Sequence, residues 1–231
     1  MQMIKVILWD IDGTLLDFHM AETAAIRALF QRFNLGACTD AMLGDYSRIN
    51  VRYWQRLEAG ELTKPQVLTG RCYEFFEKYG LGTAIVPEFN DAYQLALGDT
   101  FCFCPGAKET VEALKGKVLQ CAVTNGTAIA QHKKLAGSGL DRLLDALFIS
   151  DEMGVEKPSK AFFDLVWQKI GQFSPDEVLI VGDSLTSDIR GGNNAGILTC
   201  WFNPKGNPLL DDPHVDYQIQ QIPEILDILH I

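Results

Sequence analysis

The chain has 231 residues, of which 47% are hydrophobic and 22% are charged. This apolar content excludes intrinsic disorder, and the length suits one large domain or a core domain with an insert. The formal net charge is −10 at pH 7 and no basic block occurs, which argues against a nucleic-acid polymer as partner. Attraction of an anionic substrate would therefore depend on a local site.

The N-terminal apolar run is short and ends on an acid, which is unlike a signal peptide. No stretch approaches the roughly 20 apolar residues of a membrane helix. We therefore expect a cytoplasmic protein with no membrane partner and with reduced thiols. For the pair Cys102 and Cys104, packing is favoured over metal binding. The six cysteines are Cys38, Cys72, Cys102, Cys104, Cys121 and Cys200.

Short β-rich runs alternate with helical patterns along most of the chain. The predicted strands are Ile4–Trp9, Leu119–Val123, Leu147–Ile149, Val178–Val181 and Leu198–Trp201. The helical patterns between the later strands are Lys108–Lys115, Ala128–Ala136, Lys160–Ile170 and Leu185–Ala195. This alternation predicts an α/β fold, with a Rossmann-like, doubly wound parallel sheet covered on both faces.

The alternation is interrupted once, after the first strand. Residues 18–98 contain helical patterns without a convincing strand, and glycines separate the patterns. The predicted helices are His19–Phe33, Ala41–Glu58, Pro65–Tyr79 and Val86–Leu97. The expected organisation is an α/β catalytic core of residues 1–17 and 99–231 with an all-helical cap of residues 18–98. Residues 222–231 could form a last short helix.

The first predicted strand ends in two acids, Asp10 and Asp12, followed by Gly13. Residues two apart leave a strand on the same side, so the carboxyl groups should be close. Two nearby carboxylates do not both ionise easily, and a divalent cation can hold one as the anion. A nucleophile beside a general acid/base needs this pair. A solvated Asp-Gly turn is the simpler alternative.

Polar residues follow three later strands, and the carboxyl ends of parallel strands are where ligands gather. Thr124 and Asn125 could bind phosphate oxygens, although Asn-Gly is also a common turn pair. Lys157 precedes a proline and could balance the acids, although an isolated lysine is usually exposed. Asp183 and Asp188 offer the hard oxygens that suit Mg²⁺, although either could be an ordinary helix-start acid.

Four motifs in this order resemble those of the haloacid dehalogenase (HAD) superfamily. They are DxDGT at 10–14, a threonine at 124, a lysine before proline at 157, and GDxxxxD at 182–188. The resemblance runs over most of the chain, and residues 18–98 correspond to the superfamily's helical cap. The superfamily's true dehalogenases lack the second aspartate of DxD, so Asp12 favours phosphoryl transfer. The sequences of residues 148–171 and 178–203 resemble most the bacterial pyrimidine 5′-nucleotidase type of phosphatase.

The resemblance implies a Mg²⁺-dependent phosphomonoester hydrolase with an aspartyl-phosphate intermediate. Asp10 would be the nucleophile and Asp12 the general acid and base. Mg²⁺ would be held by Asp10, the backbone carbonyl of Asp12, and Asp183.

In the same scheme, Thr124, the backbone amide of Asn125, and Lys157 would bind phosphate. Asp188 would support the metal shell and Lys157, and Thr14 would orient the turn at Asp12. The expected partner is a small phosphorylated metabolite, with a nucleoside monophosphate as the favoured class.

Two other functions remain open at this stage. A sugar-phosphate phosphomutase of the β-phosphoglucomutase type would use the same core chemistry. A non-catalytic phosphate-binding protein would not need both aspartates. Substrate choice would rest on the cap, where an aromatic ring could stack on a base and an arginine could bind an anion. Cap core and a solvated face are the simpler interpretation for these residues, which are Phe18, Arg48, Arg52, Tyr53, Trp54 and Arg56.

Overall fold

The computed structural model describes residues 3–171, 173–209 and 212–231. Its core is a six-stranded parallel sheet with the order β3-β2-β1-β4-β5-β6. The strands are β1 (Val6–Trp9), β2 (Leu119–Thr124), β3 (Ala146–Ile149), β4 (Val178–Gly182), β5 (Leu198–Phe202) and β6 (Tyr217–Ile219). The predicted parallel α/β core is confirmed, and β6 is a strand that the sequence patterns did not predict.

Strand β1 is fully buried in the sheet. Its four residues have no exposed surface, and it pairs with β2 on one side and β4 on the other. Leu8 lies beside Cys121 and Ile180 in these ladders. Burial on both faces explains why the strand is apolar throughout instead of alternating. The residues that follow β1 are therefore fixed in the middle of the sheet's carboxyl edge.

Helices precede, connect or follow the later strands of the core. They are α5 (Ala107–Leu114), α6 (Ala128–Ser138), α7 (Leu140–Leu143), α8 (Ser150–Met153), α9 (Lys160–Ile170), α10 (Arg190–Ala195) and α11 (Glu224–Leu229). The segment predicted as one helix over 185–195 begins with a π turn at Leu185–Ile189 and continues as α10. Two apolar clusters containing residues of the sheet form the core.

Residues Phe18–Phe101 form a second compact unit, separate from the unit made by residues up to Asp17 and Cys102–Ile231. Its α-helices are α1 (Phe18–Arg32), α2 (Asp40–Glu58), α3 (Lys64–Lys78) and α4 (Val86–Asp99). The predicted cap boundary at residue 98 lies within the last turn of α4. The side-chain hydroxyl of Thr39 caps α2 by accepting from the amide of Met42 at 3.2 Å, and Thr63 begins α3 with a capping box.

Aromatic rings fill the interior of the helical unit. Phe75 has no exposed surface and packs edge-on against Phe30 and Tyr46, with ring centroids 6.2 and 5.3 Å apart. These contacts join three of the helices, because Phe30 lies in α1, Tyr46 in α2 and Phe75 in α3. None of the helices in the described ranges is long and apolar enough to cross a membrane. All six cysteines are free thiols.

Replacement of Phe75 by alanine should destabilise the helical unit. Removal of a buried phenyl ring leaves a cavity and costs about 3–5 kcal/mol. Tyr73→Ala on the same helix is the matched control: Tyr73 is 39% exposed and its loss should cost about 1 kcal/mol or less. Urea unfolding followed by far-UV circular dichroism measures both variants. Equal losses would contradict the packing role of Phe75.

Candidate active site

Lys157 is the centre of a buried ion-pair cluster. Its Nζ donates to Oδ1 of Asp10 at 2.9 Å, to Oδ1 of Asp188 at 2.7 Å and to the carbonyl oxygen of Val123 at 2.6 Å. Lys157 and Asp188 are each 1% exposed. An ammonium group has three donors, so these three acceptors satisfy it completely. The cation is thereby held in place without the help of solvent.

The sheet order explains why these residues meet. Asp10 follows β1, Val123 lies near the end of β2, and Asp188 lies in the π turn after β4. These three strands are adjacent, so their carboxyl ends lie side by side. Gly182 is required at the end of β4, because a Cβ there would lie 2.2 Å from Cγ of Asp188. The glycine of the GDxxxxD motif therefore makes room for the second acid.

Thr14 links the first and fourth motifs. Its hydroxyl donates to Oδ2 of Asp10 at 3.0 Å and accepts from the amide of Asp183 at 3.1 Å. The sequence predicted that Thr14 orients the turn at Asp12, whereas its side chain contacts Asp10 and Asp183. Gly13 has a φ of +100°, and a Cβ there would lie 2.6 Å from Oδ2 of Asp183. A glycine at this point therefore satisfies both the backbone conformation and the close approach.

Three carboxylates share the space around the lysine. Asp10, Asp183 and Asp188 each offer an oxygen, and these oxygens all lie within 4.8 Å of one another. Burial and the negative charge of Asp188 raise the pKa of Asp10 to about 7, although Lys157 acts in the opposite direction. Burial alone would lower the pKa of Lys157, but the negative charges of Asp10 and Asp188 raise it above its usual value. One ammonium group does not balance the three acids.

Asp12 has different partners from Asp10, although only one residue separates them. Nε2 of Gln131 donates to Oδ2 of Asp12 at 2.5 Å, and Nζ of Lys134 donates to Oδ1. Both partners are on α6, and each is 1% exposed. Sequence reasoning did not single out Gln131 or Lys134. The available signal was their spacing of three residues, which places them on one face of the helix that follows the Thr124-Asn125 turn.

Asn125, which follows the threonine of the second motif, is hydrogen-bonded to the backbone of Lys157 in the third motif. The side-chain amide of Asn125 donates to the carbonyl of Lys157 at 2.8 Å, and its oxygen accepts from the amide of Lys157 at 2.9 Å. The hydroxyl of Thr124 accepts from the amide of Gly126 at 3.1 Å. The structure therefore brings Thr124 and Asn125 to the carboxyl edge of the sheet beside Lys157. The side chain of Asn125 holds the lysine's backbone there.

The six residues of the helical unit that were considered for substrate binding lie in two kinds of environment. The arginines are exposed and pair with acids of their own unit: Arg48 with Asp45, Arg52 with Glu74, and Arg56 with Glu61. The side chains of Phe18, Tyr53 and Trp54 are half-buried. The positions of the arginines fit a solvated helix face.

The fold and the site together define an α/β enzyme class: a Rossmann-like parallel sheet, a helical insert after the first strand, and acids at adjacent strand ends. Residues 4–196 match the haloacid dehalogenase-like hydrolase family. The chain belongs to this family, and it is a hydrolase of the HAD superfamily.

Relatives agree with this assignment. The chain is 35% identical to HAD-hydrolase YfnB of Bacillus subtilis, over 100% of this chain and 97% of the relative. A crystal structure of YfnB bound to magnesium has a TM-score of 0.94 and covers 100% of both chains. The chain is also 32% identical to the pyrimidine 5′-nucleotidase PynA of Streptococcus pneumoniae, over 97% of this chain and 94% of the relative. The pyrimidine 5′-nucleotidase YjjG of Escherichia coli is 33% identical over 85% of each chain.

Replacement of Lys157 by methionine should strongly destabilise the core. Methionine keeps much of the apolar stem but leaves buried carboxylates without their cation, which costs about 3–5 kcal/mol. Lys160→Met is the matched control, because Lys160 pairs with Asp164 on the surface and such pairs are worth about 0–1 kcal/mol. Urea unfolding at neutral pH, without divalent ions, tests this comparison. Indistinguishable variants would contradict the structural role of the buried ion pair.

Proposed function

We propose that this chain is a Mg²⁺-dependent phosphomonoester hydrolase that acts through an aspartyl-phosphate on Asp10. The main support for the proposal is that Asp10 and Asp12, the two acids of the first motif, have different hydrogen-bond partners. Asp10 is nearly buried and paired with Lys157, while the carboxyl group of Asp12 is held by α6. Two acids with separate partners can take separate roles, one as the nucleophile and the other as the acid/base group.

In the first step, a carboxylate oxygen of Asp10 attacks the phosphorus of the substrate. The bond between phosphorus and the ester oxygen breaks, and its electron pair stays on the leaving oxygen. The protonated carboxyl group of Asp12 gives that oxygen its proton, which releases an alcohol. Thr14 fixes the other carboxylate oxygen of Asp10 through its 3.0 Å hydrogen bond, so the attacking group has a defined orientation.

In the second step, water hydrolyses the intermediate. Asp12, now a carboxylate, takes a proton from the water, whose oxygen attacks the same phosphorus. The bond from phosphorus to Asp10 breaks, inorganic phosphate leaves, and the Asp10 carboxylate is restored. Asp12 returns to its acid form, so the cycle is closed. The same group therefore serves as acid in one half-reaction and as base in the other.

The residues present fit a magnesium ion. Three carboxylates and one ammonium group carry two negative charges when all are ionised, and hard carboxylate oxygens are the ligands that Mg²⁺ prefers. Asp10, Asp183 and the backbone carbonyl of Asp12 would hold the ion, and Asp188 would support it. When bound, Mg²⁺ would neutralise charge on the phosphoryl group. The magnesium-bound structure of YfnB supports the choice of metal.

The phosphoryl group would be bound beside Asp10. Lys157, the hydroxyl of Thr124 and the backbone amide of Asn125 supply positive charge and donors at this edge of the sheet. Their placement is supported by the hydrogen bonds between Asn125 and Lys157. Such a local cluster of donors explains how a chain of net charge −10 could bind an anion.

The favoured substrate is a nucleoside 5′-monophosphate. PynA and YjjG are both named pyrimidine 5′-nucleotidases, and the chain matches each over most of its length. A glyceraldehyde 3-phosphate phosphatase of Pyrococcus furiosus is 31% identical over 99% of this chain, so sugar phosphates belong in the same substrate screen. Isomerisation of a sugar phosphate without release of phosphate would favour the phosphomutase instead.

Asp10→Asn should abolish release of phosphate from p-nitrophenyl phosphate, because an amide does not act as the carboxylate nucleophile. We expect a loss of at least about 1000-fold, with wild-type activity that depends on added Mg²⁺ and is removed by EDTA. Asp164→Asn is the matched control, since Asp164 lies on the surface of α9. Wild-type rates in Asp10→Asn would contradict the proposed nucleophile.

A further inference from the structure

The carboxylate of Asp12 is held at both oxygens by one helix. Gln131 donates to Oδ2 and Lys134 donates to Oδ1. Both side chains reach Asp12 from α6, and both are 1% exposed. Burial of a lysine is unusual and costs free energy unless its charge is paired. The pair therefore gives the charge of Lys134 a specific role beside Asp12.

Two further features indicate that Gln131 is placed for this contact. Its Oε1 is buried and has no hydrogen-bond partner among the described residues, so the side chain leaves an acceptor unpaired in order to donate to Asp12. Gly126 leaves the necessary space, because a Cβ there would lie 2.2 Å from Nε2 of Gln131. Because an unpaired buried acceptor costs free energy, the hydrogen bond to Asp12 is the polar contact that favours this placement of Gln131.

We propose that Gln131 and Lys134 are positioning residues that fix the Asp12 carboxyl group for proton transfer to the leaving oxygen. This inference rests on the proposed function. Without partners, the carboxyl group of Asp12 could rotate about its Cβ–Cγ bond. Hydrogen bonds from two donors on the same helix prevent this rotation. Proton transfer needs the two oxygens within about 2.6–3.2 Å of each other, so loss of either donor should reduce the fraction of productive complexes.

The choice of leaving group separates this role from a structural one. An alkyl phosphate ester would leave as a strongly basic alkoxide, so its departure depends on the proton from Asp12. p-Nitrophenolate is a weak base and leaves with little help. A variant that misplaces Asp12 should therefore lose more activity on the alkyl ester than on the aryl ester. A variant that merely loosens the fold should lose both activities by the same factor.

The experiment measures kcat/KM with Mg²⁺ for p-nitrophenyl phosphate and for uridine 5′-monophosphate. We expect Lys134→Met and Gln131→Leu to lower the value for the nucleotide by about 10–100-fold, with at most a few-fold loss for the aryl ester. Lys134→Arg should recover a large part of the nucleotide activity, because a guanidinium group can also donate to Asp12. Lys133→Met is the matched control: Lys133 is an exposed neighbour on the same helix, and both values should stay unchanged.

Gly126→Ala provides a second approach that leaves both donors in the sequence. Its Cβ should push Gln131 away from Asp12 and produce the same selective loss. Circular dichroism and thermal melting check that each variant is folded, and any variant that is not folded is replaced in the comparison by Gly126→Ala.

Equal losses on the two esters in the folded variants would overturn the inference while leaving the phosphatase proposal intact. Absence of wild-type activity on both esters would overturn the proposed function and the inference with it. A selective loss on the nucleotide supports both.

Discussion

The arrangement of the site depends on one buried cation. Lys157 is satisfied by a carboxylate after β1, a carboxylate after β4 and a carbonyl at the end of β2, so it joins the carboxyl ends of three adjacent strands. A buried charge without its partner costs free energy, so Lys157 and the carboxylates of Asp10 and Asp188 depend on one another. The same contacts pair the lysine and hold Asp10 in the defined orientation that the proposed mechanism requires.

Asp10 and Asp12, the two acids of the first motif, have different ion-pair partners. Two carboxylates so close in sequence would repel each other if they shared one environment, and a different lysine pairs with each of them. Lys157 pairs with Asp10 and also with Asp188, while Lys134 pairs with Asp12. Burial and the negative charge of Asp188 raise the pKa of Asp10 to about 7, so a further negative charge beside it is unfavourable. A divalent ion is the natural complement to that excess.

Much of the fold and the core of the site could be predicted from the sequence. Apolar runs ending in polar residues identified the strand ends, and the order of the motifs matched a known superfamily. The contacts of Asp12 were not predicted, because Gln131 and Lys134 belong to none of the four motifs and nothing in the sequence links them to Asp12, which is 119 and 122 positions away. Lys134 also follows another lysine, a pattern that normally indicates a solvated face. Strand β6 was missed because three residues carry too little periodicity.

The aspartyl-phosphate proposed on Asp10 can be detected directly. The protein is mixed with p-nitrophenyl phosphate and Mg²⁺, quenched in acid within a single turnover, digested and analysed by mass spectrometry. We expect the added mass of one phosphoryl group on the peptide that contains Asp10, and no such addition in the Asp10→Asn protein. Phosphate release without phosphorylation of that peptide at any quench time, or with the phosphoryl group on a different residue, would contradict the proposed mechanism.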